Sequence, residues 1–328
     1  MELRPFTHEM LPEAGAMLAA RHAADLAAMP MIAPQYAQPQ HAEAAVAALL
    51  ERPHAHGVAA FAGGQLRGYM ISELIFDATW GRVAWVRLAG SATAPGQGSE
   101  LLRDMYAHLA VGWVDQGCYA HFATIPAADP SLLFTWSTLS FGIEHMYALL
   151  DIASLAPRDP QPGISIRRAT SADRQTMAGF SDLIWRQQVQ SPCWAFTAPE
   201  RAAELPPLYG AEVDDPEVTL WLAFDGDQPV GVQEFCAAEE APDKLLYPAG
   251  CTELSIGGVT ASHRGRGISG ALLSHALREA AAQGITTCAT DWRSTNLLSS
   301  RVWPHLGFRP VAYRLTRRID QRIAFAAR

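Results

Sequence analysis

The 328-residue chain has a single lysine, Lys244, so arginine carries nearly all of its positive charge, a bias of coding composition rather than of chemistry. Positive charge is also in deficit. The formal net charge is −8, which argues against a nucleic-acid binder, since that class presents a basic face. The same balance leans weakly toward cationic substrates. Cys118, Cys193, Cys236, Cys251 and Cys288 form no C-x-x-C pair. Their odd number and irregular spacing fit free thiols in a reducing compartment rather than a disulfide framework. No His, Cys, Asp or Glu group has metal-ligand spacing, so no metal is expected. No apolar run reaches the ~18 residues of a membrane span, and Met1-Glu2-Leu3-Arg4 opens no signal peptide. The expected location is cytoplasmic, with no membrane partner.

Two phosphate-binding fingerprints are missing as well. No Gly-Lys-Ser/Thr follows a glycine loop, and no G-x-G-x-x-G precedes an acidic residue at dinucleotide spacing. A different arrangement is present between Glu253 and Phe308. An apolar strand over Leu254 to Val259 leads into the loop Thr260-Ala261-Ser262-His263-Arg264-Gly265-Arg266-Gly267. That loop opens a helix over Ile268 to Gln283, which Gly284 stops. A second strand follows over Ile285 to Trp292, then Asn296, a short helix and Leu306-Gly307-Phe308. Free N–H groups at a helix N-terminus point at an anion, and the helix dipole favours negative charge there. Gly265 and Gly267 allow close backbone approach, and Arg264 and Arg266 add charge-assisted donors.

Arg264-Gly265-Arg266-Gly267-Ile268-Ser269 resembles the acyl-CoA loop of the GNAT superfamily of N-acyltransferases, Arg/Gln-x-x-Gly-x-Gly/Ala, with Ser269 as a small departure. Asn296, Trp303 and Leu306-Gly307-Phe308 resemble the second motif of that family in spacing. The resemblance implies an α/β fold with a mixed, mostly antiparallel sheet (α+β in its mixed sheet), and acetyl-CoA as co-substrate. It also implies that Val259, Thr260 and Ala261 meet the pantetheine arm, with the Val259 N–H at the thioester oxygen. Arg264, Gly265, Arg266, Gly267, Ile268 and Ser269 would hold the pyrophosphate. Asn296 would bond the pantetheine arm, and Trp303 would pack against that arm or the core.

The chain also reads as a faint repeat. Gly63 and Gly226 are 163 positions apart, as are Gly68 and Gly231. Gly117 and Gly284, Trp136 and Trp303, and Phe141 and Phe308 are each 167 apart. Strand-and-helix openings match too: Leu3-Arg4 before a helix over Pro12 to Ala28, and Ile166-Arg167 before one around Ala172 to Val189. Two tandem GNAT-like acyl-CoA N-acyltransferase domains are therefore expected, over 1–155 and 164–328, joined by a Pro/Gly-rich linker at 156–163. Tandem members of this superfamily include the mycothiol synthases. In the first copy, Gln97-Gly98-Ser99-Glu100 stands against Arg264-Gly265-Arg266-Gly267, Asp129 against Asn296, and Val86 against Glu253. A carboxylate in place of the second glycine repels a pyrophosphate. The first copy is expected to be degenerate and the second to carry the site.

Acetyl transfer to an amine needs a neutral nucleophile, a donor for the carbonyl oxygen and a proton source for the thiolate. Glu253 is the expected base. It lies six residues before Val259, which places both on one strand face provided no bulge intervenes. Trp303 stands where many family members have an acidic tyrosine, and indole does not ionise usefully. Tyr313, on a final strand, is the candidate substitute acid, with water as the alternative. Glu234 is positioned to meet a cationic amine. Trp185, Trp194, Phe196 and Tyr209 occupy the segment that covers the acceptor in this superfamily. The expected activity is acetyl-CoA-dependent N-acetyl transfer to a primary amine of a small-molecule acceptor. A non-catalytic acyl-CoA-binding or regulatory protein on the same fold is the alternative.

Overall fold

The computed structural model describes residues 1–241 and 244–326. The chain forms two compact units. The first holds Met1–Tyr147, Glu239–Pro248 and Pro310–Arg328; the second holds Ala148–Ala238 and Ala249–Arg309. The units therefore do not follow a single cut at residues 156–163. The last strand of the second copy belongs to the first unit, and the end of the first copy belongs to the second.

In chain order the strands are β1 (Glu2–Pro5), β2 (His56–Ala62), β3 (Gln65–Asp77), β4 (Gly81–Val86), β5 (Ser91–Thr93), β6 (Ala120–Pro126), β7 (Gly142–Asp151), β8 (Ile164–Arg168), β9 (Thr219–Asp225), β10 (Gln228–Ala237), β11 (Thr252–Val259), β12 (Thr287–Arg293) and β13 (Arg309–Arg318). The α-helices are α1 (Leu11–Ala28), α2 (Pro39–Leu50), α3 (Ser99–Asp115), α4 (Pro130–Thr138), α5 (Arg174–Phe180), α6 (Leu183–Gln188), α7 (Pro199–Ala211), α8 (Ile268–Ala282) and α9 (Ser299–His305).

The first unit's sheet runs β1-β2-β3-β4-β6-β13, with β4 and β6 parallel and the others antiparallel. Strand alternation divides its apolar residues between two faces. Ala59, Tyr69 and Ile71 meet Leu18 of α1 and Val46 and Leu49 of α2, while Val58, Ala60 and Met70 meet Met105 and Trp113 of α3. Leu245, from the segment between β10 and β11, completes the first cluster, and Leu315 of β13 joins the second.

The second unit's sheet runs β12-β11-β10-β9-β8, antiparallel except for β11 with β12. Leu220, Leu222 and Val232 pack on Met177 and Phe180 of α5. The opposite face receives α8: a Cβ at Gly231 would lie 3.2 Å from Ile268 and 3.3 Å from Leu272. The single helix expected around Ala172 to Val189 is broken into α5 and α6. Ser181, at the break, turns its hydroxyl back to the Ala178 carbonyl at 2.7 Å, a local bond that competes with helix continuation.

The repeat is visible in matched local structures. Gly63 and Gly226, in the β2–β3 and β9–β10 turns, share φ 58°. Trp136 stacks edge-on against Phe141 at 4.8 Å, as Trp303 does against Phe308 at 5.9 Å. Among the described residues no helix is long and apolar enough to cross a membrane. The cysteines are free, and Cys118, Cys251 and Cys288 are buried.

Candidate functional site

The site is built where β11 parts from β12. The parallel register between them covers Thr252↔Cys288, Glu253↔Ala289 and Leu254↔Thr290. β11 then continues to Val259 along β10. Main-chain groups of the second half of β11 are thereby turned toward the gap between the two strands. Two glycines thin the strand at this point. A Cβ at Gly257 would lie 3.0 Å from the Trp303 ring, and one at Gly258 would lie 3.1 Å from Leu183. Gly257→Ala should therefore displace Trp303 and lower the melting temperature of the second unit by a few degrees, which differential scanning calorimetry would register.

A bulge changes the geometry of β11. Glu234 pairs with Ile256 and Phe235 with Leu254, so Ser255 and Ile256 together oppose Glu234. The extra residue reverses the alternation, and the expectation that Glu253 and Val259 share a face does not hold. Glu253 is on the face of Glu234 and Ser255, toward α5–α7. Val259 is on the face of Gly257, toward α8. Ser255 Oγ donates to Glu234 Oε1 at 2.7 Å, a contact that fixes the bulge and that β11 alone does not reveal.

The loop after β11 is anchored at both ends. The Thr260 N–H donates to the Val230 carbonyl at 2.9 Å, and Ala261–His263 make a single 3-10 turn. Gly265 and Gly267 have φ of 77° and 72°, values that a side chain resists, and an added Cβ at either meets open space. The loop backbone is thus open to a ligand. Gly267 is the N-cap of α8, whose first turn at Ile268 and Ser269 presents the orphan N–H groups of a fifteen-residue helix. Buried Gln233 braces that turn, donating from Nε2 to the Ser269 carbonyl at 2.9 Å. Such a helix start can hold a phosphate or pyrophosphate.

The two loop arginines differ. Arg264 is exposed and reaches Gln187 Oε1 at 3.2 Å and the Val259 carbonyl at 3.3 Å. Arg266 is held by Asp225, on the β9–β10 hairpin, at 2.9 Å. His263 approaches the same carboxylate at 3.4 Å. Arg266 first, and His263 after it, hold the Asp225 carboxyl below its usual range. Asn296 acts as a cap: Oδ1 accepts from the Leu298 N–H at 3.2 Å, and Nδ2 donates to Ser299 Oγ at 2.9 Å. Asp129, its counterpart in the first copy, caps α4 through the Ser131 and Leu132 N–H groups. Both residues therefore perform one local task, start of the short helix. Trp303 is buried against Gly257 and Phe308.

Tyr313 belongs to a different unit from the loop. It lies on β13 in the first unit, opposite Ile125 of β6, and packs on the cluster of Met105 and Trp136. A final strand can complete either copy, and nothing in its own alternation chooses. Sequence reasoning also missed Glu212, in the turn after α7. No motif singles it out, yet its Oε2 is buried. Among the described residues no group of three or more His, Cys, Asp or Glu is placed to hold a metal ion.

Residues 185–308 match the model of the acetyltransferase (GNAT) family. The whole chain is similar in fold to a GCN5-related N-acetyltransferase from Sphaerobacter thermophilus, at TM-score 0.60 and 16% identity over 97% of this chain and 95% of that one. It is also similar to a tandem GNAT protein from the clavulanic acid biosynthesis pathway (TM-score 0.52, 16% identity, 97% and 98% covered). A third likeness is to the glucosamine N-acetyltransferase region of a fungal multi-domain GH3 β-N-acetylglucosaminidase (TM-score 0.58, 15% identity, 96% and 38% covered). No curated protein matches the sequence. The chain thus has the tandem GNAT fold, and residues 185–308 carry the match to the acetyltransferase family.

Proposed function

We propose that the protein is an acetyl-CoA-dependent N-acetyltransferase acting on a primary amine, with its active site in the C-terminal half. The observation that carries this reading is the parting of β11 from β12 directly before the Gly265–Gly267 loop and the start of α8. A strand edge with free main-chain groups suits the amide-bearing arm of CoA. A helix start with open glycines suits its pyrophosphate. Arg264 is free to turn toward a phosphate at the cost of weak surface contacts, whereas Arg266 must share its charge with Asp225.

CoA, when bound, supplies the acetyl group as a thioester. The chain's own residues then orient and move a proton. In direct transfer the amine nitrogen bonds the acetyl carbon, the carbon–sulfur bond breaks, and the amine's proton passes to a base. Glu253, on the α5–α7 face of β11, takes that proton. The thiolate takes a proton from solvent. The Val259 N–H, at the end of the parted strand, is the donor to the carbonyl oxygen.

Calorimetric titration of acetyl-CoA into the intact protein tests the reading. One site per chain is expected. In the double variant Arg264→Glu/Gly267→Asp, two carboxylates face the pyrophosphate and a side chain is forced into positive φ, so affinity should fall by about 100-fold or more. Absence of acetyl-CoA binding in the unaltered protein would overturn it.

A further inference from the structure

The face of the second unit's sheet that packs on α5–α7 carries two carboxyl groups with no part in the transfer described above. Glu234, in the middle of β10, is only 7% exposed. Its Oε1 takes the Ser255 hydroxyl, and its Oε2 is buried with no donor among the described residues. Glu212 buries its own Oε2 in the same condition. Both oxygens lie on the α5–α7 side of the sheet, where the Glu234 carboxyl acts on that of Glu212. Side by side in apolar surroundings they cannot both ionise cheaply, and one shared proton satisfies both orphaned oxygens. Burial first, and then the Glu234 carboxylate, push Glu212 up to about 8, so Glu212 keeps its proton at neutral pH.

The surroundings are defined. From α7 come Tyr209, pushed up to about 12 by burial and then by the two glutamates, and Arg201. From the turn comes Asp215, which adds negative charge beside Glu212. From the strands come Cys236 and Glu253. Phe180, Leu220 and Val232 make the apolar wall. Ser255 is exposed, so the bulge leaves the pair just beneath an open surface.

We propose that Glu212 and Glu234 form the subsite for the acceptor's cationic amino group, giving up their shared proton in exchange for the ammonium. The proposal rests on the acetyltransferase reading above. An ammonium has three donors, and the two orphaned oxygens and Ser255 Oγ are three acceptors. The exchange balances: a pair with charge −1 and an ammonium become a pair with charge −2 holding the ammonium, and one proton leaves to solvent. The acceptor class is a small primary amine that is charged in solution and has an apolar or aromatic body for the Phe180 and Tyr209 side.

The test is calorimetric titration of benzylamine, with neutral benzyl alcohol as the isosteric control, in buffers of differing ionisation enthalpy. It is run on the unaltered protein and on Glu234→Gln and Glu212→Gln. The amine should bind more tightly than the alcohol and release about one proton per ligand, with binding tightening from about pH 6 to about pH 8 as the pair loses its proton. Glu234→Gln should weaken the amine by about tenfold or more and leave the alcohol unchanged; Glu212→Gln should abolish proton release. Equal affinity for amine and alcohol, binding of neither, or an undiminished amine affinity in Glu234→Gln overturns the subsite. The first two outcomes need no variant to fold. Acetyl-CoA titrated into the same samples separates the two readings. Acetyl-CoA binding without amine preference overturns only the subsite; amine preference without acetyl-CoA binding overturns only the acetyltransferase. The pair also tilts stability. Between the usual carboxylate range and about pH 8 the folded state binds more protons than the unfolded one, so stability falls as pH rises through that window. Glu212→Gln should flatten that slope in denaturant titrations.

Discussion

A chain ended at Arg309 is expected to lose the cooperative fold of the first unit. That unit takes its β13 strand from the far end of the sequence, where Ala312 to Arg318 pair with Pro126 to Ala120 of β6. Val311, Ala312 and Leu315 are each at most 1% exposed. Full burial of a valine or leucine contributes roughly 1.5–3 kcal/mol, so these side chains alone are a large part of a typical ~5–15 kcal/mol domain stability. Arg314 adds a second loss. Its guanidinium donates to Glu144 at 2.7 Å and lies 5.0 Å from the Trp80 ring and 5.3 Å from that of Trp85. Without it the Trp80 and Trp85 rings lose the cation beside them and the carboxylate of Glu144 loses its Nε donor. The β6 edge is also left unpaired, which invites aggregation. Near-ultraviolet circular dichroism during heating would follow Trp80, Trp85 and Trp113. A truncated chain that keeps the first unit's transition unchanged would show that β13 is dispensable to it.

The features legible in the sequence are those set by short-range chemistry. The run from β11 through the glycine loop to α8 and β12 follows from apolar patterning and from glycines at positive φ. The matched turns at Gly63 and Gly226, and the Trp136–Phe141 and Trp303–Phe308 pairs, recur because each copy uses the same local solution. Long-range pairing was not legible. The bulge at Ser255 is fixed by Glu234 across the strand, and alternation within β11 predicts the opposite face for Glu253. The destination of β13, and so of Tyr313, depends on which sheet has an edge to complete. Glu212 carries no motif signal, and the burial of its Oε2 is set by the fold. Asn296 shows the reverse case. Its motif position marked it as a cofactor residue, while the structure assigns its amide a capping task that Asp129 also performs where the loop arginines are absent.

Glu253→Gln is expected to lower turnover by about 10²- to 10⁴-fold, the usual range for loss of a general base, while acetyl-CoA affinity stays within about twofold. Glutamine keeps the size of the side chain and its place in the β11 register, opposite Cys236 on one side and Ala289 on the other. It removes only the ability to take a proton. The charge of Glu253 is felt by its neighbours: Cys236 and Cys251 are both pushed up by burial first and by Glu253 next. The bulge turns Glu253 away from α8 and toward the face that carries Glu212, Glu234 and Ser255. On the proposed function, a base there would meet an amine arriving from the α5–α7 side. Steady-state rates with a primary amine found by screening would decide the matter. A fall in kcat at unchanged acetyl-CoA affinity assigns the proton transfer to Glu253. Unchanged kcat removes Glu253 from the chemistry and leaves Glu234 as the carboxylate nearest the bulge. Glu234→Gln then separates the roles, since loss of an ammonium subsite raises KM for the amine, whereas loss of the base lowers kcat at saturating amine.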